Sequence, residues 1–498
     1  MSTYFKGQRF DWYPTPTEGP VFEYALLVAS DYLSNTESNT SRGVSKSKRK
    51  DKIEAICIQI ISALHGSLNA LGEKEDDCNW IAIPRDMHAY TTKQDSSGKV
   101  FGSHSYTVSI VDWLLGQNMV EEKLGNEFKG YSRYRAAGEL KAYLEGLGLI
   151  WMPVKPIARE QLIIVRDKDP KSKDKFRVPL ISNNKIEEEL DQLETINACL
   201  RRHCFTLNLT NENLREIKVK KTENDEDEIN HINFYQTQIV RIYARGQTNK
   251  GGRFYRGWWQ NVPSNTRIHI LIDGNKTIEI DYSGMSMRLL YASEGIELDL
   301  DADVYNLGFV DWMGDKDRRR SIIKKYVNAV FNDEDERHKV SSKDLKLLDV
   351  SNQLELRDKL YIAHDRVNLR DRITSGWGLE SQYLDSEIAL QLMYQFAIHD
   401  DPLLPVHDSF ITKKGNELYL QQLMLDTFER VAKGKTRVDV TTSLPNEGFR
   451  VKDSSKDYSK IYVGQEILDQ YITDKDPLGE YSLMNRYLES WKKDYSKE

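Results

Sequence analysis

Two aspartates stand at the ends of two short apolar runs in the second half of the chain. Asp281 lies in the run TIEIDYS, and Asp408 lies in the run LLPVHDSFI. Both runs are typical of buried β-strands. Burying a carboxylate costs several kcal/mol unless it is paired or binds a metal. Two such strands side by side would bring two negative charges together. A pair of divalent cations would neutralise them, which is the core of a two-metal phosphoryl-transfer site.

A basic helix is predicted between the two aspartates in sequence. The stretch RRRSIIKKYVNAVFN, residues 318–332, places Arg320, Lys324 and Asn328 four residues apart, on one helix face. Arginine and lysine in register along a helix can bind a triphosphate. The alternative is a basic amphipathic helix on the surface.

The segment before the first aspartate run is rich in glycine, aromatic residues and arginine. It reads GGRFYRGWWQNVPSNTR over residues 251–267. Glycines let another backbone approach closely, and arginines beside aromatic rings suit contact with a nucleic-acid strand. Taken alone, this composition is only a weak indication of a surface for nucleic acid.

Taken in order, these segments resemble motifs of the family A DNA polymerases and, in part, of phage-type single-subunit RNA polymerases. The residues that carry the resemblance are Gly252-Arg253, Gln260-Asn261-Val262-Pro263, Asp281-Tyr282-Ser283 with Arg288, Asp303-Val304-Tyr305, Arg320 with Lys324, and His407-Asp408-Ser409. The matching region runs from about residue 251 to 412, roughly a third of the chain. Among its departures from the family pattern, Phe331 falls one residue earlier than the family's aromatic, and a serine follows Asp408 where the DNA enzymes carry glutamate.

The resemblance implies a right-hand polymerase of the α+β class, with an antiparallel palm sheet and helical fingers. It implies that Asp281 and Asp408, with the backbone carbonyl of Tyr282, hold two Mg2+ ions, with Mn2+ as an alternative. It also implies that Arg320 and Lys324 bind the β- and γ-phosphates and that Lys324 assists the departure of pyrophosphate.

Three positions bear on the incoming nucleotide. Tyr282 adjoins the first aspartate, and Phe331 is expected to stack near the base, in place of a tyrosine that reads the 2′-hydroxyl in the DNA enzymes. Ser286 stands five residues after Asp281, where those enzymes carry a glutamate that blocks a ribose. A small residue removes this block, so relaxed selection of the sugar is expected.

The remaining contacts that the resemblance implies are with nucleic acid. Six residues are expected to touch the primer or template strand: Arg253, Gln260, Asn261, Arg267, Gln382 and His407. Gln382 belongs to a helix predicted over residues 379–390, which resembles the segment that meets the minor groove of the primer–template.

The N-terminal region shows helical spacing followed by two apolar runs. Helices are predicted from residue 53 to 71, over 106–115 and from 132 to 146, and strands over 149–152 and 161–166. Helices followed by a hairpin resemble a winged helix. Arg133 and Arg135 would then open the helix that enters a DNA groove, while a scaffold or a protein-binding module remains the alternative.

The chain is predicted to hold five segments. These are a polar and basic arm (residues 1–52), a winged-helix-like region (53–167), a helical connector (168–235), the palm and fingers (236–440) and a C-terminal extension (441–498). Local expectations are a loop over residues 34–52, a charged hairpin tip over 168–175, an amphipathic helix over 186–199 and a solvated acidic loop over 223–228.

Composition restricts where the protein works. Its 498 residues carry a formal charge of −7, which argues against a chain that coats nucleic acid but allows a local basic groove. No run approaches the length of a membrane span, and no secretory signal is visible, so a cytoplasmic protein without a membrane partner is expected. Cysteines without a CxxC pair or zinc spacing are expected to be reduced structural thiols: Cys57, Cys78, Cys199 and Cys204.

These inferences favour a template-directed nucleotidyltransferase that acts on a primer–template and nucleoside triphosphates. The leading hypothesis is a DNA polymerase that lacks a proofreading exonuclease and serves a mobile element or plasmid. Three alternatives stay open: a single-subunit RNA polymerase or primase-like enzyme, a winged-helix DNA-binding replication protein with a structural palm, and a two-metal nuclease. The nuclease needs further carboxylates, and Glu279 and Asp299 are expected to point elsewhere.

Overall fold

Helices and β-sheets both contribute to the fold, which is of the mixed α+β class. The computed structural model describes residues 8–9, 14–36, 46–72, 80–90, 103–125, 132–169, 175–209, 213–214, 217, 231–299, 302–308, 316–332, 338–372, 375–432, 438, 440–443, 448–451 and 483–495. Within these ranges, no helix is both long enough and apolar enough to cross a lipid bilayer.

The strands are short and are numbered along the chain. They are β1 (Gln8–Arg9), β2 (Leu71–Gly72), β3 (Ile81–Ile83), β4 (Val120–Lys123), β5 (Ser132–Ala136), β6 (Ile163–Lys168), β7 (Lys175–Val178), β8 (Phe205–Leu207), β9 (His231–Ile232), β10 (Val240–Tyr243), β11 (Gly251–Tyr255), β12 (Ile270–Ile272), β13 (Asn275–Tyr282), β14 (Leu404–Val406), β15 (Ser409–Lys413), β16 (Val440–Ser443) and β17 (Gly448–Val451). They form the sheets β1-β3-β5-β4 and β11-β10-β6-β7, the pair β2-β9, and a seven-stranded sheet.

The helices are numbered in the same way. They are α1 (Pro20–Thr36), α2 (Lys46–Leu68), α3 (His104–Gly116), α4 (Gly138–Leu147), α5 (Arg159–Leu162), α6 (Asn184–Arg202), α7 (Ser264–Arg267), α8 (Met285–Ser293), α9 (Lys316–Asn332), α10 (Ser342–Leu347), α11 (Gln353–Ala363), α12 (Leu369–Arg372), α13 (Trp377–Ala397), α14 (Glu417–Val431) and α15 (Leu483–Tyr495). Helix α13 lies at the centre of the second half, because it packs against β11, α6, α14, α8 and α9.

The N-terminal sheet differs from the predicted winged helix. Residues 132–136 form strand β5, and helix α4 begins only after it. The buried residues of β5 alternate with Arg133 and Arg135, and such a period of two is that of a strand. The prediction that these arginines open a recognition helix is therefore wrong.

The predicted hairpin of residues 149–152 and 161–166 is also wrong. Residues 149–152 form no strand. Strand β6 instead pairs antiparallel with β7 and parallel with β10, so it joins the N-terminal region to the segment predicted as palm and fingers. The pairing of Lys168 with Lys175 confirms the charged hairpin predicted at this point.

Of three other local predictions, one is confirmed, one needs a correction to its boundaries, and one lies outside the described residues. Helix α6 confirms the amphipathic helix expected over residues 186–199 and extends it at both ends. The loop expected over residues 34–52 is too long, since α1 runs to Thr36 and α2 starts at Lys46. The acidic run over residues 223–228 lies outside the described residues.

Strand β13 organises the seven-stranded sheet. Strand β15 pairs along one of its edges, from Thr277 opposite Lys413 to Asp281 opposite Ser409. Along the other edge β13 pairs first with β12 and then with β16. Strand β14 pairs with β15 through a two-residue turn. The end of β13 and the β14–β15 turn therefore lie side by side.

Candidate functional site

Two aspartates meet where β13 ends beside the turn between β14 and β15. Asp281 is the penultimate residue of β13 and lies opposite Ser409, the residue after Asp408. The backbone N–H of Tyr282 donates to the carbonyl oxygen of Asp408 at 3.3 Å. Asp408 shares its tight turn with His407, whose φ of 61° lies in the left-handed region. The fold thus brings together the two aspartates that lie far apart in sequence.

The electrostatics of Asp281 indicate a site for positive charge. Burial and the nearby charge of Asp408 raise the pKa of Asp281 well above its usual value, and Lys324 opposes this rise. Oδ1 of Asp281 is buried and accepts no hydrogen bond from the described residues. Two carboxylates, one with a buried oxygen lacking a donor, match the ligands that hard divalent cations prefer. Asp281 and Asp408 therefore fit Mg2+ or Mn2+.

A third carboxylate, Glu279, lies on the same face of β13 as Asp281, because residues two apart in a strand share a face. The expectation that Glu279 points elsewhere is therefore wrong. Arg267 neutralises it, with Nη2 at 2.7 Å from Oε1 and Nε at 2.9 Å from Oε2. Ser409 donates its hydroxyl to Oε1 at 2.6 Å. Arg267 is only 8% exposed, so this buried ion pair supports the aspartates from within the protein.

A left-handed glycine turns the chain from β13 into α8. Gly284 has a φ of 66°, and a Cβ at this position would lie 2.6 Å from Cγ2 of Val304. Only glycine suits so close a contact in this conformation. The turn lets residues 302–308 pack against the end of β13. Arg288 of α8 fastens the same loop by donating to the carbonyl oxygen of Ala302 at 3.0 Å.

The loop of residues 302–308 connects the aspartate pair to helix α9. Arg320 of α9 donates from Nε to Oδ1 of Asp303 at 3.2 Å, and its guanidinium lies 4.8 Å from the ring centre of Tyr305. Burial raises the pKa of Tyr305, Arg320 opposes the rise, and the charges of both aspartates add to it. Tyr305 therefore lies near both Arg320 and the aspartate pair.

Helix α9 confirms the helix predicted over residues 318–332. Lys324 lies on the side of α9 that approaches the aspartate pair, since its charge acts on Asp281. Asn328, one turn further along, is exposed. Phe331 is 1% exposed and packs in the core, so it can contact a base only if the end of α9 moves.

Asp385 is a site residue that sequence analysis does not single out. Arg253 of β11 donates to its Oδ2, from Nη2 at 2.5 Å and from Nε at 3.1 Å. Burial raises the pKa of Asp385 to about 6, Arg253 opposes the rise, and the charge of Asp408 adds to it. Asp385 therefore lies near the aspartate pair. It follows Gln382 by three residues on α13 and so shares its face, which is the signal that could have found it.

Other predicted nucleic-acid contacts are held by neighbouring elements. Gln260 donates its amide to the carbonyl oxygen of Pro405 in β14 at 3.1 Å. Asn261 follows it in the short 3-10 helix Trp258–Asn261 and is half-buried. Gln382 donates to Oδ1 of Asn332 at the end of α9, at 3.4 Å. Gln260 therefore ties the 3-10 helix to β14, and Gln382 joins α13 to the end of α9.

Tyr282 and Ser286, both predicted in the nucleotide site, are held by their hydroxyl groups. Tyr282 is buried and donates to the carbonyl oxygen of Met424 at 2.7 Å, so its ring belongs to the core. Ser286 donates to Oγ of Ser381 at 3.1 Å, which joins α8 to α13. His407, by contrast, is exposed at the tip of its turn.

Arg133 and Arg135 belong to the N-terminal sheet and not to the sheet that carries the aspartates. Arg135 donates from Nε to Oε2 of Glu121 at 2.7 Å. Its guanidinium lies 4.8 Å from the ring centre of Trp80, a cation–π contact. The structure therefore separates these arginines from the other predicted site residues.

Comparison with known proteins does not place the chain in a family. No protein-family model matches it, and no curated protein matches it. One solved structure that it resembles is the polymerase domain of Pol1 from M. smegmatis in complex with DNA primer-template and dNTP, with 15% sequence identity and a TM-score of 0.28. The match covers 52% of this chain and 51% of that one, so the chain spans about half the length of the structure it matches.

Divalent cations are expected to stabilise the folded protein, because they would relieve the repulsion between Asp281 and Asp408. A ligand at about a hundred times its Kd stabilises by about 2.7 kcal/mol. Thermal unfolding with and without Mg2+ or Mn2+ measures the effect. Asp281→Asn is expected to lose most of the rise in Tm, and the exposed control Asp358→Asn in α11 to keep it. An equal rise in all three proteins would argue against a site at this pair.

Proposed function

We propose that this protein is a template-directed nucleotidyltransferase with a two-metal mechanism, and more specifically a DNA-directed DNA polymerase without a proofreading exonuclease. The observation that carries the proposal is the meeting of Asp281 and Asp408 at one strand end, approached by Lys324. Two carboxylates for metal ions and a cation for phosphate are what phosphoryl transfer requires of a protein. In this proposal the seven-stranded sheet serves as the palm and α9 as the fingers helix.

The proposed mechanism assigns each charged group a task. Asp281 and Asp408 would hold two Mg2+ ions. When bound, the ions lower the pKa of the attacking 3′-hydroxyl and stabilise charge on the α-phosphate. Arg320 and Lys324 would bind the β- and γ-phosphates by charge-assisted hydrogen bonds, for which Arg320 leaves its present carboxylate partner. Lys324 would also stabilise pyrophosphate as it departs.

Two arginines would limit the negative charge around the aspartate pair. Glu279 and Asp385 both lie near it, and each would add repulsion if it were left unpaired. Arg267 binds the first and Arg253 binds the second. In this proposal both arginines act through these carboxylates, which keeps the local negative charge within what two divalent ions can neutralise.

The primer–template is proposed to pass the exposed turn at His407, with Asn261 and Gln382 as neighbouring polar contacts. A path along β14 and α13 would bring a primer end to the aspartates. Arg133 and Arg135 of the N-terminal sheet would bind backbone phosphates further away, a contact that sets affinity and not sequence.

Primer extension tests the proposal. Wild-type protein is supplied with Mg2+, primed DNA or RNA templates and nucleoside triphosphates, and is compared with Asp408→Ala and with the control Asp358→Asn. Template-directed synthesis by the wild type and the control, and none by Asp408→Ala, supports the proposal. Unchanged synthesis by Asp408→Ala, or none by the wild type on any template, overturns it.

Sugar selection is expected to be weak, because a small serine stands at position 286 and lies against Ser381. With paired dNTP and rNTP at equal concentration, we expect a preference well below a thousandfold, which corresponds to about 4 kcal/mol. Ser286→Glu is expected to raise the preference for dNTP at least tenfold, roughly 1.4 kcal/mol, and the exposed control Ser293→Glu on the same helix to leave it unchanged. A wild-type preference above a thousandfold would refute relaxed selection.

The small side chain at position 286 also favours a second candidate, a single-subunit RNA polymerase. The serine after Asp408 points the same way through the resemblance of the His407-Asp408-Ser409 turn. The competition assay separates the two candidates, because a preference for rNTP over dNTP would identify RNA as the product.

A further inference from the structure

A second cluster of metal-ligating side chains lies at the other end of β13 from the aspartate pair. Cys199 in the last turn of α6 and His203 just after it meet Asp400 from the turn after α13. The thiol sulfur, an imidazole nitrogen and a carboxylate oxygen all lie within 4.8 Å of one another. In the part of the chain that the structure describes, this is the one group of three or more such residues.

The orientation of His203 points to a ligand. Its Nδ1 lies 2.7 Å from Oδ2 of Asp273, and Oδ1 of Asp273 accepts the backbone N–H of Cys204 at 2.9 Å. Nε2 is therefore the nitrogen directed into the cluster, 3.5 Å from Oδ1 of Asp400. His203 is 6% exposed, and Nε2 has no hydrogen-bond partner among the described residues. Metal-binding histidines usually have one nitrogen bound to a carboxylate in this way.

The other two side chains complete a mixed set of ligands. Cys199 is buried, whereas Asp400 is exposed, so the cluster runs from the core to the surface. Arg202 donates from Nε to Oδ1 of Asp400 at 3.0 Å and holds this carboxylate beside the histidine. Thiolate, imidazole and carboxylate are the ligands that Zn2+ takes in proteins, and a thiolate excludes Mg2+ and Ca2+ as the preferred ion.

We propose that Cys199, His203 and Asp400 bind one transition-metal ion of the zinc class, with water as the fourth ligand. Three protein ligands and one open position form a tetrahedral zinc site. On binding, the S–H bond of Cys199 breaks, its proton passes to solvent and a sulfur–metal bond forms. His203 contributes the lone pair of its neutral Nε2, and no group is oxidised or reduced.

The proposed ion would join separate parts of the fold. It would link the end of α6 to the turn after α13, and its histidine is anchored to Asp273 between β12 and β13. Asp273 lies in the turn before β13, and the six residues from Asn275 to Asp281 along the strand span about 20 Å at roughly 3.3 Å per residue. The ion is therefore too distant to act on the aspartate pair. It would hold the segment that leads into β14, which is followed by the turn that contains Asp408.

Titration of the full-length protein with Co2+ tests the proposal, because a cysteine thiolate on Co2+ gives a charge-transfer absorption that oxygen ligands do not. We expect one such ion per chain, displaced by Zn2+. Cys199→Ala and His203→Gln are expected to abolish the absorption. Asp273→Asn, at a positioning residue, is expected to weaken Co2+ binding about 10–100-fold. The matched controls Cys57→Ala, at another buried cysteine, and Asp281→Asn are expected to retain it.

Asp400→Asn separates metal binding from folding, because it changes only an exposed side chain. This variant is expected to bind Co2+ at least tenfold more weakly while its far-ultraviolet circular dichroism stays that of the wild type. Binding by the wild type is expected to weaken as the pH falls, since a thiol proton must be released. No absorption with the wild type, absorption that survives Cys199→Ala, or absorption lost in Cys57→Ala would overturn the proposal. This test uses no measurement of nucleotide addition, so a negative result here would not bear on the proposed polymerase function, and the reverse also holds.

Discussion

Asp281→Asn is expected to slow nucleotide addition by more than about a thousandfold, roughly 4 kcal/mol in activation free energy. Asparagine keeps the shape of the side chain but not its negative charge, so the proposed metal pair keeps only the carboxylate of Asp408. Single-turnover primer extension measures the rate. Asp358→Asn, the same change at an exposed position of α11, is expected to leave the rate unchanged.

The same substitution is expected to stabilise the metal-free protein at neutral pH. Burial and the charge of Asp408 raise the pKa of Asp281 in the folded state, whereas the unfolded chain keeps a value near about 3.9. Between these two values the folded protein binds a proton that the unfolded chain has released. Its stability therefore falls as the pH rises through this window. At neutral pH Asp281 therefore lowers the stability of the folded protein, and asparagine, which does not titrate, removes that cost.

Thermal unfolding in the presence of a chelator, from about pH 4 to about pH 8, tests this second effect. The Tm of Asp281→Asn should exceed that of the wild type at neutral pH, and the difference should shrink toward about pH 4. At the acidic end the wild-type carboxyl is protonated in the folded state and differs little from the amide. An inactive variant that is also less stable at neutral pH would assign Asp281 a structural role and contradict the metal site.

Arg241→Met is expected to lower the free energy of unfolding by about 3–5 kcal/mol, because it leaves buried carboxylates without their counter-charge. Arg241 is 0% exposed. Its Nη2 donates to Glu387 at 2.6 Å and to Ser386 at 2.8 Å, and its Nη1 lies 3.1 Å from Glu189. Lys185 also approaches both glutamates, but it is half exposed and cannot replace a buried guanidinium. The network joins β10 to α6, which carries Cys199, and to α13, which carries Asp385.

Urea unfolding followed by circular dichroism measures this loss. Arg318→Met, at an exposed arginine of α9, is expected to change the free energy of unfolding by less than about 0.5 kcal/mol. Adding Glu189→Gln and Glu387→Gln to Arg241→Met should recover much of the loss, since removing a whole buried ion network is often nearly neutral. A loss below about 1 kcal/mol in the single variant would show that the network is not held by its charges.

Several elements could be predicted because their signals are local. Helices α6, α9 and α13 have apolar residues at helical spacing, and in β13 the apolar residues Ile278 and Ile280 alternate with polar ones. Strand β5 could not be predicted in this way. Its residues continue directly into α4 in sequence, so they read as part of that helix. Only their pairing with β3 and β4 shows that Arg133 and Arg135 alternate with buried residues as in a strand. Residues 149–152 are apolar enough for a strand, but β6 pairs with β7 and β10 instead.

The charges around the site also include some that could be predicted from the sequence and others that only the fold reveals. From the residues alone it could be predicted that Asp281 and Asp408 lie in apolar strand runs and need positive charge, because burying a carboxylate is costly wherever it occurs. The three-dimensional fold was needed to show that Arg253, although 132 residues away, neutralises Asp385, and that His203 lies beside Asp400. Ion pairing and metal ligation depend on distances of a few ångströms in space, and no local pattern records which distant residues the fold will bring that close.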